Sequence, residues 1–197
     1  MIPRTKGKLS PFACLSAMQK AIRRGLEAEA MEFACELGLT SKAFFTMVCN
    51  RLEIVAHEDV GLADQQAVIF ASLAIDQAKR HYNPEKPGLW RMPLGNAIRA
   101  LSRAQKSREG DHFQAAIGLR AQLTDYTPTV PDWAFDMHTV EGRRRGRGLD
   151  HFRTEGARLH PPAESDEYEE QAYEMWKIRD AHKNGHKPSE ELLFDAP

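Results

Sequence analysis

Apolar residues recur along most of this chain at three- and four-residue steps, the spacing of one face of an α-helix. Leu15, Met18, Ile22 and Leu26 mark a first face. Ser10-Pro11 stands ahead of it, a side chain able to cap free N–H groups and a ring suited to the first helical position. Gly25 breaks or bends that run. A second helix is predicted from about Glu27, with Met31, Ala34 and Leu37 in step and Gly38 placed to end it in a left-handed cap. Thr40 or Ser41 caps a third, carrying Phe44, Met47, Val48, Leu52 and Val55. After a turn over residues 58–63, Asp64 caps a fourth helix over 65–81. That helix is apolar around much of its circumference (Val68, Ile69, Phe70, Leu73, Ala74, Ile75, Ala78), which predicts burial in a bundle or an oligomer. Asn83-Pro84 and Lys86-Pro87-Gly88 form a loop. Pro93 opens a fifth helix through Leu94, Ile98 and Leu101. Ser107 or Asp111 caps a sixth, in which Phe113, Ala116, Ile117, Leu119 and Leu123 are apolar.

The periodicity stops at Pro128 and Pro131, where glycines, arginines and histidines take over. This stretch reads as an irregular Arg/Gly-rich arm, followed by a last helix over 166–182 that Asn184-Gly185 ends. Asp166, Glu167, Glu169 and Glu170 suit the positive end of that helix. The predicted fold class is all-α: a bundle of about six helices, an arm and a C-terminal helix. The divisions are a basic N-terminal tail (1–9), a helical domain (10–125), the arm (126–163), and the C-terminal helix with an acidic tail (164–197).

Net charge is −1 over 197 residues, so total charge favours no nucleic-acid partner. Its distribution is uneven. Arg4, Lys6, Lys8, Lys20, Arg23 and Arg24 occupy a head without acids, whereas acids outnumber bases from Glu164 onward. Self-contact, a polarised partner surface or two solvated faces all fit this asymmetry. Cys14, Cys35 and Cys49 sit in apolar helical patterns and match no zinc spacing, as expected of free thiols in the cytoplasm. No apolar run approaches the roughly 18 residues of a membrane span, and no apolar stretch follows the basic head as in a secretory leader.

Four segments carry a family likeness. Ser16-Ala17-Met18-Gln19-Lys20-Ala21-Ile22-Arg23 stands where a family has SA-x-x-K-S-x-R. Glu27-Ala28-Glu29-Ala30-Met31 follows it. Ala56-His57-Glu58-Asp59-Val60-Gly61-Leu62-Ala63-Asp64-Gln65-Gln66-Ala67 answers to A-S-E-D-I-G-L-A-D-P-Q-A, and Ala104-Gln105-Lys106-Ser107-Arg108 to A-P-K-S-N. In this order and spacing, from about Leu15 to Leu123, the chain resembles the C-terminal helical region of the MgsA/RarA family of AAA+ ATPases. That family is also called replication-associated recombination protein A and includes Werner helicase-interacting protein. The resemblance implies a helical bundle like a clamp-loader collar, assembly into a homo-tetramer, and a place in DNA replication, recombination and repair. In this reading Glu58, Asp59, Gly61, Asp64, Lys106 and Ser107 are structural motif residues. His57 and Gln65 depart from the pattern, and the arm after Pro128 reads as a replacement of the family's tail.

No G-x-x-x-x-G-K-[ST] occurs in the sequence, so no backbone cradle or lysine is present for nucleotide phosphates. The predicted role is therefore a non-enzymatic accessory function, with no catalytic residue, cofactor or metal assigned. Candidate DNA contacts lie in the arm. Arg143, Arg144, Arg145 and Arg147 offer forked donors to phosphates, and Trp133 and Phe152, with Phe135, offer faces to unpaired bases. The competing reading has those arginines pairing with nearby acids and the aromatics packed. Partners are then another copy of the chain and single-stranded DNA or replication proteins. The alternatives are a DNA-independent interaction factor and a metal-dependent enzyme using His138, Asp150, His151 and Glu155. Leu193 and Phe194 in the acidic tail resemble peptides that bacterial proteins dock on the sliding clamp; docking of the tail on its own bundle is the plainer reading.

Overall fold

The computed structural model describes residues 3–164 and 166–183. It divides into two compact units, Met1–Tyr126 and Thr127–Pro197. The described residues contain helices, turns and loops but no strand, in agreement with the all-α expectation. Asn184-Gly185 and the Leu193-Phe194 motif lie outside the described residues.

In the first unit, helix α1 spans Pro11–Arg23 and buries Cys14, Leu15, Met18, Ala21 and Ile22. Its end is a Schellman turn. Gly25 takes φ +74°, Leu26 N–H donates to the Ala21 carbonyl at 2.9 Å, and Gly25 N–H to that of Ile22 at 3.0 Å. Helix α2 spans Glu27–Gly38. The left-handed cap predicted at Gly38 does not form: Leu39 after it is right-handed, and Gly38 is small for another reason. A Cβ there would lie 2.7 Å from the Trp90 ring, so the indole packs where a side chain would be. Trp90 joins Phe45 (centroids 5.2 Å) and Tyr82 (5.7 Å) in an aromatic cluster, and the Tyr82 hydroxyl donates to the Gly38 carbonyl at 3.0 Å.

Helix α3 (Lys42–Val55) begins at Ser41, whose Oγ accepts from Phe44 N–H at 3.2 Å. Its buried stripe is Phe45, Val48, Cys49, Leu52 and Val55. The sequence places Phe44 and Met47 on that stripe; they pack at its flank instead. Helix α4 (Gln65–Arg80) is capped by Asp64 as predicted, its Oδ1 accepting from Ala67 N–H at 3.0 Å. Helix α5 (Gly88–Arg103) starts well before Pro93, which lies inside it. The reason is burial: Trp90, Leu94, Ala97, Ile98 and Leu101 form one continuous face, and winding the chain from Gly88 seats the indole. The packing gained outweighs the single hydrogen bond that proline cannot donate. Cys49 is fully buried, and its thiol is pushed up to about 12 chiefly by burial.

Helix α6 (Glu109–Leu123) is the last of the six helices expected in the first unit. It forms, but it buries no residue, and the core is built from α1 to α5 and the turn before α4. Phe113, Ile117, Leu119 and Leu123 on it stay exposed.

In the second unit the arm carries short helical pieces between its loops. A short 3-10 turn (Asp132–Ala134) precedes α7 (Val140–Arg144), which Thr139 caps by accepting from Gly142 N–H at 3.0 Å. Helix α8 (Leu149–His151) runs into a widened turn, Phe152–Gly156. Helix α9 spans Glu169–Lys183, starting three residues later than predicted because Asp166 accepts from Tyr168 N–H at 2.8 Å in a turn ahead of it.

Candidate functional site: an ion-pair hub and an arginine-braced arm

The chain between α3 and α4 first widens into a π-type turn over Ala56–Val60 and then tightens over Gly61–Asp64. Gly61 at φ +54°, ψ −128° makes this switch in a conformation that side-chain-bearing residues avoid. The turn presents Glu58 and Asp59 to α1. Asp59 is 1% exposed. Arg23 Nε lies 2.9 Å from Asp59 Oδ1, and Arg23 Nη2 is 3.2 Å from Glu58 Oε1. Gln19 Nε2 donates to Glu58 Oε2 at 2.9 Å. From the segment before α6, Arg108 reaches Glu58 Oε1 at 3.0 Å, and Ser107 N–H donates to the Asp59 carbonyl at 3.0 Å. Arg51 donates to Gln19 Oε1 at 3.2 Å.

Lys106 folds back on the end of α5, donating to the carbonyls of Ser102 (2.9 Å) and Ala104 (2.8 Å). It satisfies helix-terminal acceptors that would otherwise be unpaired. Burial lowers its ammonium pKa, against the pull of Asp59 and Asp64. All six motif residues named from the sequence therefore meet around one turn. They hold α1, the turn and the entry to α6 together. Glu58 is shared among Arg23, Arg108 and Gln19, and Asp59 is sealed.

The arm is braced by its own arginines. Asp132 receives Arg145 Nη1 at 2.6 Å and Arg147 Nη2 at 2.5 Å. Arg147 Nη1 also donates to the carbonyls of Asp132 and Phe135, each at 2.7 Å. Arg143 Nη1 donates to the carbonyls of Met137 and His138, each at 3.1 Å. The hydrogen bond from Arg147 and the charges of Arg147 and Arg145 hold the Asp132 carboxyl below its usual range. The Arg145 guanidinium lies 4.6 Å from the Phe135 centroid. Gly142 is obligatory, because a Cβ there would meet the Asp136 carbonyl oxygen at 1.8 Å. The arm is thus a wound segment with three of its four arginines engaged, the arrangement that the reading of arginines paired with nearby acids anticipates in part. Arg144 is exposed and makes no hydrogen bond or ion pair among the described residues. Trp133 is exposed as well, while Phe152 packs edge-on to His138 at 4.8 Å.

The four residues of the metal reading do not converge. His138 Nδ1 pairs with Asp136 at 3.0 Å, and Asp150 accepts from the Tyr173 hydroxyl. Among the described residues, no three His, Cys, Asp or Glu side chains are grouped to hold an ion.

Residues 39–182 match the family described as MgsA AAA+ ATPase C terminal. The chain belongs to that family. It is also 31% identical over 144 residues to replication-associated recombination protein A of Bacillus subtilis (strain 168), an alignment covering 71% of this chain. The chain spans 32% of that relative's length. The MgsA C-terminal match runs through the arm and α9, so the segment after Pro128 lies within the family region and is not a replacement of its tail. It begins at residue 39, leaving α1 and α2 outside, although Arg23 of α1 closes the hub. Sequence reasoning missed Arg23 and Asp132 as ion-pair partners. Their only signal was charge, and both lie far in sequence from what they bind. No described helix of this MgsA-family chain is long and apolar enough to cross a membrane.

Proposed function

We propose that this MgsA-family domain is a non-enzymatic accessory module of DNA replication and recombination that works by assembling with copies of itself, as a tetramer, and presenting its arm to DNA. The observation that carries the reading is on α4. Val68, Ala71, Ala74, Ile75 and Ala78 face the core. Ile69, Phe70 and Leu73 lie on the opposite side, 61%, 49% and 59% exposed. A helix that is apolar on two opposed sides has one side in its own core and needs a partner for the other. The place in replication and recombination follows the name of the Bacillus subtilis relative, and the cytoplasm is where such a role is exercised.

Light scattering tests the assembly. The chain is expected to form a particle several times its 22.3 kDa mass, and Phe70→Asp with Leu73→Asp should reduce it to a monomer without loss of helicity. A wild-type monomer at micromolar concentration would count against the proposal. A DNA-independent interaction factor is the second reading, and the internal engagement of Arg143, Arg145 and Arg147 favours it. Salt-dependent gel shifts with single-stranded DNA separate the two.

A further inference from the structure

In the second unit, the widened turn Phe152–Gly156 and α9 border a recess of about 400 Å³. Its aromatic lining is Phe152, Tyr168, Tyr173 and Trp176; Asp166 and Glu169 add carboxylates and Arg153 a guanidinium. Tyr173 is buried, whereas Tyr168 and Trp176 remain largely open to solvent. The negative face of an aromatic ring attracts cations, and Tyr173 already displays this chemistry. The Arg153 guanidinium carbon sits 4.2 Å from its centroid and Lys177 Nζ 4.3 Å. Arg153 is held there by Glu170 and Glu169. The rings of Tyr168 and Trp176 have no such cation among the described residues. Charge around the recess points the same way: Asp166, Glu167, Glu169, Glu170, Glu174 and Asp180 outnumber Arg153, Lys177, Arg179 and Lys183 in the recess and along α9 and its entry. A phosphate backbone would be repelled by this surface.

We propose that the recess docks a lysine- or arginine-rich segment of a partner protein, with a cationic side chain received by the rings of Tyr168 and Trp176 and the carboxylates of Asp166 and Glu169. It stands independently of the DNA reading of the arm, since it selects the opposite charge and uses other residues.

The test is fluorescence anisotropy of a labelled short peptide of alternating lysine and arginine titrated with the full chain. A glutamate-serine peptide and a single-stranded oligonucleotide serve as controls. Saturable binding that weakens with salt is expected for the basic peptide alone. The Tyr168→Ala/Trp176→Ala variant leaves the charge unchanged and alters two exposed rings, so its helicity should persist; it should weaken binding about tenfold, from the loss of two cation–π contacts. Glu169→Gln should weaken binding by a smaller factor. Replacing Arg144 should leave it unchanged. Absence of saturable binding, equal binding by the aromatic variant, equal binding of the glutamate-serine peptide, or displacement of the peptide by the oligonucleotide would each overturn the proposal.

Discussion

The two units contain the same chemical pair in opposite surroundings. In the hub, Arg23 meets Asp59, a carboxylate 1% exposed; in the arm, Arg147 meets Asp132, a carboxylate 68% exposed. The distances are similar, 2.9 and 2.5 Å. The consequences are not. A buried carboxylate has lost its water, so its partner carries the whole burden of solvation, and removing that partner leaves a charge in a low-dielectric site. An exposed pair exchanges protein contacts for water at little net gain, and salt screens it. The hub therefore holds the family's motif segments in one arrangement. The arm is held chiefly by guanidinium-to-carbonyl bonds, with Asp132 contributing alignment.

The largest expected effect follows directly. Arg23→Ala should destabilise the first unit by about 3–5 kcal/mol, the cost of orphaning a buried charge. Urea denaturation followed by circular dichroism measures it. Adding Asp59→Leu removes the orphan, and the double variant should recover much of the loss, as replacing both members of a buried pair by apolar groups often does. A loss under about 1 kcal/mol for Arg23→Ala would show that the hub is solvated and that the contrast with the arm is one of geometry alone.

Gly38→Ala comes next. The added methyl would meet the Trp90 ring at 2.7 Å, and that ring is wedged beside Phe45 and Tyr82. Overpacking of this kind costs about 1–3 kcal/mol. Alanine's better helix propensity offsets about 0.5–1 kcal/mol of it. A lowered melting temperature is expected; a raised one would mean that the aromatic cluster yields easily.

How far the sequence reveals these things depends on the range of the forces involved. The helices of the first unit were legible because burial imposes a three-to-four-residue period that survives in the residue order. The error at α3 came from neighbouring apolar pairs, Phe44-Phe45 and Met47-Val48, either member of which fits the period. The error at Pro93 came from weighing a local preference above the pull of Trp90, which only the folded core reveals. The motif itself was legible, but its pairing with Arg23 was not, since 36 residues separate Arg23 from Asp59. In the arm the helices are only five and three residues long, too short to show a period, and their braces span up to 15 residues. Glycine and arginine there left two readings open, donors offered to phosphates or arginines paired with nearby acids. Gly142 is a close approach to Asp136, and the arginines cap carbonyls.

Acid should separate the two units. Because its folded-state pKa is depressed, Asp132 contributes its stabilisation above the ordinary carboxylate pKa and loses it as pH falls through the carboxylate range. Amide signals of residues 132–147 in a pH titration should therefore shift as Asp132 protonates, and Asp132→Asn should reproduce the acid form at neutral pH while leaving the melting of the first unit unchanged. Arm signals indifferent to both would assign the bracing to the carbonyl contacts of Arg143 and Arg147 alone.

The smallest effect is the most diagnostic for DNA. If the arm binds single-stranded DNA, Arg144 is the arginine free to do so, since Arg143, Arg145 and Arg147 already hold the arm together. One phosphate neutralised on a single strand releases roughly 0.7 counterions, so Arg144→Ala should reduce the slope of log affinity against log salt by about 0.7. The fold should be untouched, because no described residue depends on this side chain. Replacing all four arginines would reduce the slope further but would also dismantle the arm, so the quadruple variant alone cannot separate contact from scaffolding. The single variant can. An unchanged slope with measurable wild-type binding would place the contact elsewhere, and an absence of wild-type binding at low salt would leave Arg143, Arg145 and Arg147 as struts only and the domain as a protein-binding module.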